Sequence, residues 1–269
     1  DLVADGDIAT AVGAAAAPVL SGLATVASAR VEAPRTGHLQ YVRSERWTFV
    51  SVQGGDESGA AVVPSAILTW VAPDGSFRRS TRSGAPLLLD GTFTLPPQGQ
   101  SADGTLGVGI EQFGSGSSGA PGVAALATVG SDALRATLLE RAGCVAPDQP
   151  AAPCLLDGVA RIHDDAVVDG QVDAVVWSLL AADPTIVTLG RVTDRAGRND
   201  VAVTTAVDVR APVRTILLID PVTGALAGVE QVLLSQDAGY GVAAPAVIGF
   251  VAFLEEAWVV DPVGLSRDT

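Results

Sequence analysis

The sequence has no lysine and no methionine, and it holds only two histidines, two cysteines, two tyrosines and four tryptophans. Each shortage removes a class of chemistry. With His38 and His163 as the only imidazoles, a histidine-built metal centre has too few ligands, and a nucleophile has only two positions from which to draw a histidine base. His38 opens a strand beside Gly37, and His163 precedes Asp164 and Asp165, so both are expected at the surface. There is no Gly-x-Ser-x-Gly elbow, no P-loop and no cluster of residues at metal-ligand spacing. Glu255 and Glu256 point to opposite faces if their strand continues, so they do not form a catalytic pair. No catalytic residue, no metal site and no cofactor is expected.

Positive charge is also scarce. Sixteen basic residues, every one an arginine, stand against thirty acidic ones for a formal charge of -14. Such a surface repels phosphate backbones and anionic head groups, so no nucleic acid partner is expected. Without methionine, Asp1 is not an initiator position, and the chain reads as a processed segment of something longer, its targeting sequence removed. Cys144 and Cys154 flank a proline-rich loop and predict a disulfide in an oxidising, extracytoplasmic compartment; two free thiols in a cytosolic protein are the alternative.

Apolar residues are not scarce: they make up 48% of 269 residues, enough for a substantial core. Ile8 to Ala29 carries no charge, and Ile8, Val12, Val19, Leu20, Leu23, Val26 and Ala27 recur at helical spacing, which predicts an amphipathic helix bent or restarted at Pro18. His38 to Val52 reads as a strand with Leu39, Tyr41, Arg43, Glu45, Trp47 and Phe49 on one face. That aromatic face, with Trp70 from the next strand, is the candidate lining of an apolar cleft: Tyr41, Trp47, Phe49 and Trp70, with Arg43 as a polar anchor. Gly54 to Gly59 reads as a loop. Ile67 to Ala72 and Ser76 to Arg82 form a hairpin about Pro73-Asp74-Gly75, with Arg78, Arg79 and Arg82 as a solvated strand edge that blocks pairing.

Residues 84 to 122 are rich in Gly, Pro and Ser, with a strand at Thr105 to Phe113 and a loop, Gly114 to Gly119, that matches the dinucleotide fingerprint without the helix that must follow it. Three helices follow, at Asp132 to Ala142 with Ser131 as N-cap, at Leu155 to His163, and at Asp169 to Ala181. Thr185 to Leu234 is then a four-stranded meander with turns at Asp194 to Gly197 and Asp220 to Gly224, and the apolar run Val242 to Leu254 makes a further buried strand. The fold class is α+β: an N-terminal helix over residues 1–36, and one domain over 37–269 with an insertion at about 84–183.

Tyr41-Val42-Arg43-Ser44-Glu45, Leu179 to Pro184, Gly190 to Arg198, Asp220 to Leu226 and Phe253 to Asp261 together resemble a family of uncharacterised actinobacterial single-span membrane proteins, often encoded beside extracytoplasmic-function sigma factors. The element order is similar to the half-barrel shared by bacterial lipoprotein carriers and by the periplasmic sensor that regulates an anti-sigma factor. That resemblance implies a curved antiparallel sheet wrapping the helices. It also implies a non-enzymatic extracytoplasmic sensor or regulatory domain, membrane-anchored at its N-terminal side in the full-length protein. The implied partner is a protein of the cell envelope or an envelope-derived ligand. The alternative is a carrier holding a lipid or other hydrophobic small molecule in an apolar cleft.

Overall fold

The computed structural model describes residues 11–32, 34–54, 57–84, 87–88, 106–113, 123, 126, 128–144, 151–206, 212–235 and 242–261. The fingerprint-like loop Gly114 to Gly119 and the far end of the expected strand at Val207 to Val209 lie outside them. The helices are α1 (Ala17–Ser28), α2 (Ser131–Arg141), α3 (Ala151–Asp165) and α4 (Gly170–Ala181). The strands are β1 (Ala14–Ala15), β2 (Leu39–Gly54), β3 (Glu57–Val71), β4 (Phe77–Ser83), β5 (Leu87–Leu88), β6 (Leu106–Phe113), β7 (Ile186–Thr193), β8 (Asn199–Thr205), β9 (Val213–Ile219), β10 (Leu226–Leu233) and β11 (Ala246–Val259). They form one antiparallel sheet in the order β1-β7-β8-β9-β10-β11-β2-β3-β4-β6, with β5 paired to β3. This is the expected α+β class, a curved sheet that does not close on itself, with the helices packed in its concavity.

The meander forms where the turn residues dictate. Asp194 Oδ1 accepts from the amides of Ala196 (2.9 Å) and Arg198 (2.7 Å), and Gly197 supplies a φ of 81°. Asp220 does the same for Val222, and Gly224 closes that turn at a φ of 68°. The strands between are buried on both faces. Val203, Leu217, Ile219 and Val229 meet the helices, while Ala202, Ile216, Leu218 and Val232 make a smaller cluster on the opposite side. Asp169 caps α4 by accepting from Val172 N, and the α4 stripe of Val172, Val176, Trp177 and Leu180 is fully buried. Trp177 Nε1 donates to Gly224 O at 2.8 Å, fastening the helix to the β9–β10 turn.

Several sequence expectations need correction. Ile8 lies outside the described residues, and within the described part of the uncharged run the helix does not begin before Ala17. Gly13, at a φ of 74°, precedes a short extended segment that pairs with β7, and α1 begins at Ala17 with Pro18 in its first turn, where no amide hydrogen is needed. Val12 is accordingly exposed instead of joining the helical stripe. Likewise α3 starts at Ala151 and not at Leu155, because Pro153 falls in its first turn. Gly130, not Ser131, is the N-cap residue of α2. The expected loop at Gly54 to Gly59 yields to β3, which begins at Glu57 and runs through Pro64. Pro64 O accepts from Gly84 N, so the missing amide hydrogen faces the seam between β4 and β5 and spares the β2–β3 ladder. Finally, β4 is no sheet edge: it sits between β3 and β6, and Arg79 reaches Asp165 (3.1 Å) and Thr69 (3.3 Å).

Cys144 and Cys154 are disulfide-bonded, Cα to Cα 6.1 Å, joining the end of α2 to the first turn of α3. Among the described residues, no helix is long and apolar enough to cross a membrane.

Candidate partner-binding cleft

The faces of β2 decide where the aromatic residues go. Val42 packs in the core with the helices, Gln40 Oε1 accepts from Val167 N (3.0 Å), and Arg46 pairs with Asp164 of α3, so the even-numbered residues look inward. Tyr41, Arg43, Trp47 and Phe49 therefore stand on the other face. Tyr41 lies directly across from Trp70, ring centroids 5.8 Å apart, and both are buried. Trp47 packs on Phe250 at 5.1 Å, and Arg43 reaches Glu45 at 4.0 Å. Trp47 and Phe49 also border a groove beneath α3. These five residues do not converge on one site.

A group that sequence reasoning put at the surface is instead at the centre. His163, 1% exposed, sits between two carboxylates: Nε2 is 3.2 Å from Asp173 Oδ1 and Nδ1 is 3.7 Å from Glu256 Oε1. Asp173, on α4, is fully buried and accepts from Arg30 Nη1 at 2.8 Å. Arg30 Nη2 donates to Val168 O (2.7 Å), and Glu32 accepts from both Arg30 Nε (3.3 Å) and Gly170 N (2.6 Å). Glu256 in turn accepts from Val168 N. One ionic cluster thus ties together the segment after α1, the end of α3, the start of α4 and β11. Burial disfavours the charged imidazole, but Asp173 and Glu256 outweigh it and raise the pKa to about 9, so His163 is a cation at neutral pH. Sequence gives little warning of this, since Asp173 and Glu256 are distant in the chain and only the helix period places Asp173 on a buried face.

The outer wall of this cluster lines a cleft of about 430 Å³. Arg30, Val31, Glu32 and Arg35, Val167 to Asp169 with Gln171, Asp220 and Thr223 of the β9–β10 turn, and residues 253–258 of β11 form its sides. The register of β11 against β2 shifts between Phe253 and Glu255, which turns Leu254 outward. Arg198 fixes that bulge: Nη1 donates to Phe253 O (2.7 Å), Nη2 to Ala227 O (2.6 Å), and Nε to Asp194 Oδ2 (2.7 Å). Nearby, buried Asp200 has its carboxyl pushed up to about 6 by burial and by Asp194. At the mouth the Arg35 guanidinium stacks over Trp258 at 4.5 Å, and Thr36 Oγ1 donates to Trp258 O.

The titrations have a definite sign. His163 has a raised folded pKa, so its stabilisation is complete below about pH 6.5 and is lost as pH rises through about 9. Asp200 also binds its proton more tightly when folded, and its contribution disappears between 3.8 and about 6. Urea denaturation of the wild type should show stability falling from neutral pH to about pH 9, and the His163→Gln variant should lose that alkaline slope. An unchanged slope in the variant would remove the ionic role from His163.

No protein-family model matches the chain, and no curated protein matches it, so the resemblance to the actinobacterial family stands on the sequence motifs alone. Among solved structures, the chain is similar to one in the complex structure of Pseudomonas aeruginosa MucA/MucB, at 13% identity and a TM-score of 0.28. That match covers 92% of this chain and 59% of the other. At that TM-score the superposition does not establish a shared fold.

Proposed function

We propose that this chain is a non-enzymatic regulatory domain of the cell envelope, part of a membrane-anchored protein, that binds a partner protein through the cleft between the segment after α1 and β11. One observation carries this function. Of the five large apolar side chains that stand exposed among the described residues, two, Val31 and Leu254, line this cleft. Trp258, Phe253 and Leu226 add apolar lining to the same cleft. Apolar groups gathered around a charged floor make the kind of surface that protein partners cover. The disulfide supports an oxidising compartment.

The carrier alternative asks for empty apolar space between sheet and helices. Leu155, Leu156, Val159, Ile162, Val172, Val176 and Trp177 fill that space, all of them fully buried. The cleft itself is walled by Arg30, Glu32, Asp169 and Glu256, a costly lining for an acyl chain.

A photo-crosslinking amino acid at Trp258 of the full-length protein, in its own envelope, is expected to trap one discrete protein partner, and Leu254→Asp with Val31→Asp should abolish the conjugate. A lipid mass that the purified protein carries in native mass spectrometry and loses on denaturation would overturn the assignment in favour of the carrier.

A further inference from the structure

A groove runs beneath α3 along β2, β11, β10 and β9, with an opening of about 440 Å³ next to a second of about 280 Å³. Asp157, Gln231 and Ile248 border both. These volumes suit a small molecule. Asp157 Oδ1 accepts the Thr215 hydroxyl at 2.8 Å, while among the described residues Oδ2 has no donor and is not sealed away from the groove. Burial pushes this carboxyl up, against the opposing pull of Thr215 and Arg161. Arg161 lies one turn further along the same helix and borders the same groove, yet no ion pair joins it to Asp157. Neither Arg161 nor Gln231 has a hydrogen-bonding partner among the described residues. Val229, Val251 and Ile248 add apolar lining to the same groove.

An open carboxylate, an open guanidinium and an apolar floor on one groove match a molecule with an ammonium, a carboxylate and an apolar branch. From this juxtaposition we infer that the groove beneath α3 binds a free α-amino acid with an apolar side chain, its ammonium on Asp157, its carboxylate on Arg161 and its side chain on Val229 and Val251. A half-buried carboxylate without a counter-ion gains most from a ligand that brings its own cation, and the i, i+4 spacing on α3 sets the two charges on one face. The site is separate from the partner cleft, so the failure of one leaves the other standing.

Calorimetric titration of the full chain with L-leucine, N-acetyl-L-leucine and L-leucinamide tests it. Leucine is expected to bind, and removal of either ligand charge should weaken binding by about tenfold or more. Arg161→Gln, at an exposed position, should leave the thermal midpoint unchanged and reduce leucine to the affinity of leucinamide; Asp157→Asn should erase the preference for leucine over its N-acetyl form. No heat and no thermal shift at about 10 mM leucine would overturn the inference. So would equal binding of N-acetyl-L-leucine, or undiminished leucine binding by a folded Arg161→Gln protein.

Discussion

Replacing Gly158 with alanine is expected to destabilise the protein by about 3 kcal/mol or more, although glycine inside a helix ordinarily costs stability relative to alanine. Gly158 lies where α3 crosses α2, and a Cβ there would stand 2.3 Å from Leu138 O and 2.9 Å from Leu138 Cα. Those atoms are backbone and cannot swing aside, so the helices must separate and expose Leu134, Leu138 and Leu155. Gly170 repeats the device between α4 and the end of α1, with Ala27 O at 2.1 Å from a built Cβ. Gly22 is the control. It lies in α1 with no heavy atom within 4 Å of a built Cβ, and Gly22→Ala should stabilise by about 0.5–1 kcal/mol. Urea midpoints for the two variants must therefore move in opposite directions. A Gly158→Ala protein as stable as wild type would mean that the α2–α3 crossing is not as close as described.

Asp173→Ala should cost about 3–5 kcal/mol, the penalty for leaving buried charge without its counter-ion. Arg30 would keep only Glu32 and a carbonyl, and His163 would keep only Glu256. The loss has a second signature. With its nearer carboxylate gone, burial pulls the His163 pKa back down, so the variant should also lose the decline in stability between neutral pH and about pH 9. Pairing Asp173→Leu with Arg30→Met replaces charge with apolar volume and should recover part of the loss. A small effect of Asp173→Ala, with the alkaline slope intact, would show that water reaches the cluster.

Local chemistry was readable from the sequence wherever one short stretch settles the outcome. The meander turns follow from Asp194, Gly197, Asp220 and Gly224, and α4 follows from the spacing of Val172, Val176 and Leu180 behind Asp169. Proline and glycine mislead: Pro153 reads as part of the cysteine loop where a first helical turn tolerates it, and Gly54 to Gly59 reads as a loop where β3 already begins at Glu57. Period-two alternation sorted the residues of β2 into two faces but could not say which one meets the helices. The less apolar face does, because Gln40 and Arg46 find partners on α3 and in the segment that follows it. The central position of His163 depends on Asp173 and Glu256, side chains that only the finished tertiary structure brings together.

The central pairing of the sheet joins β2 to β11, the first long strand to the last described one. On one side of that seam lie β3, β4 and β6, on the other β7 to β10. As the chain emerges from its N-terminal side, each half can form its hairpins from neighbours, yet both keep an unpaired edge until Ala246 to Val259 has emerged. Long-range pairing of this kind carries a loop-closure cost, and a chain stalled before that strand presents two unpaired edges at once.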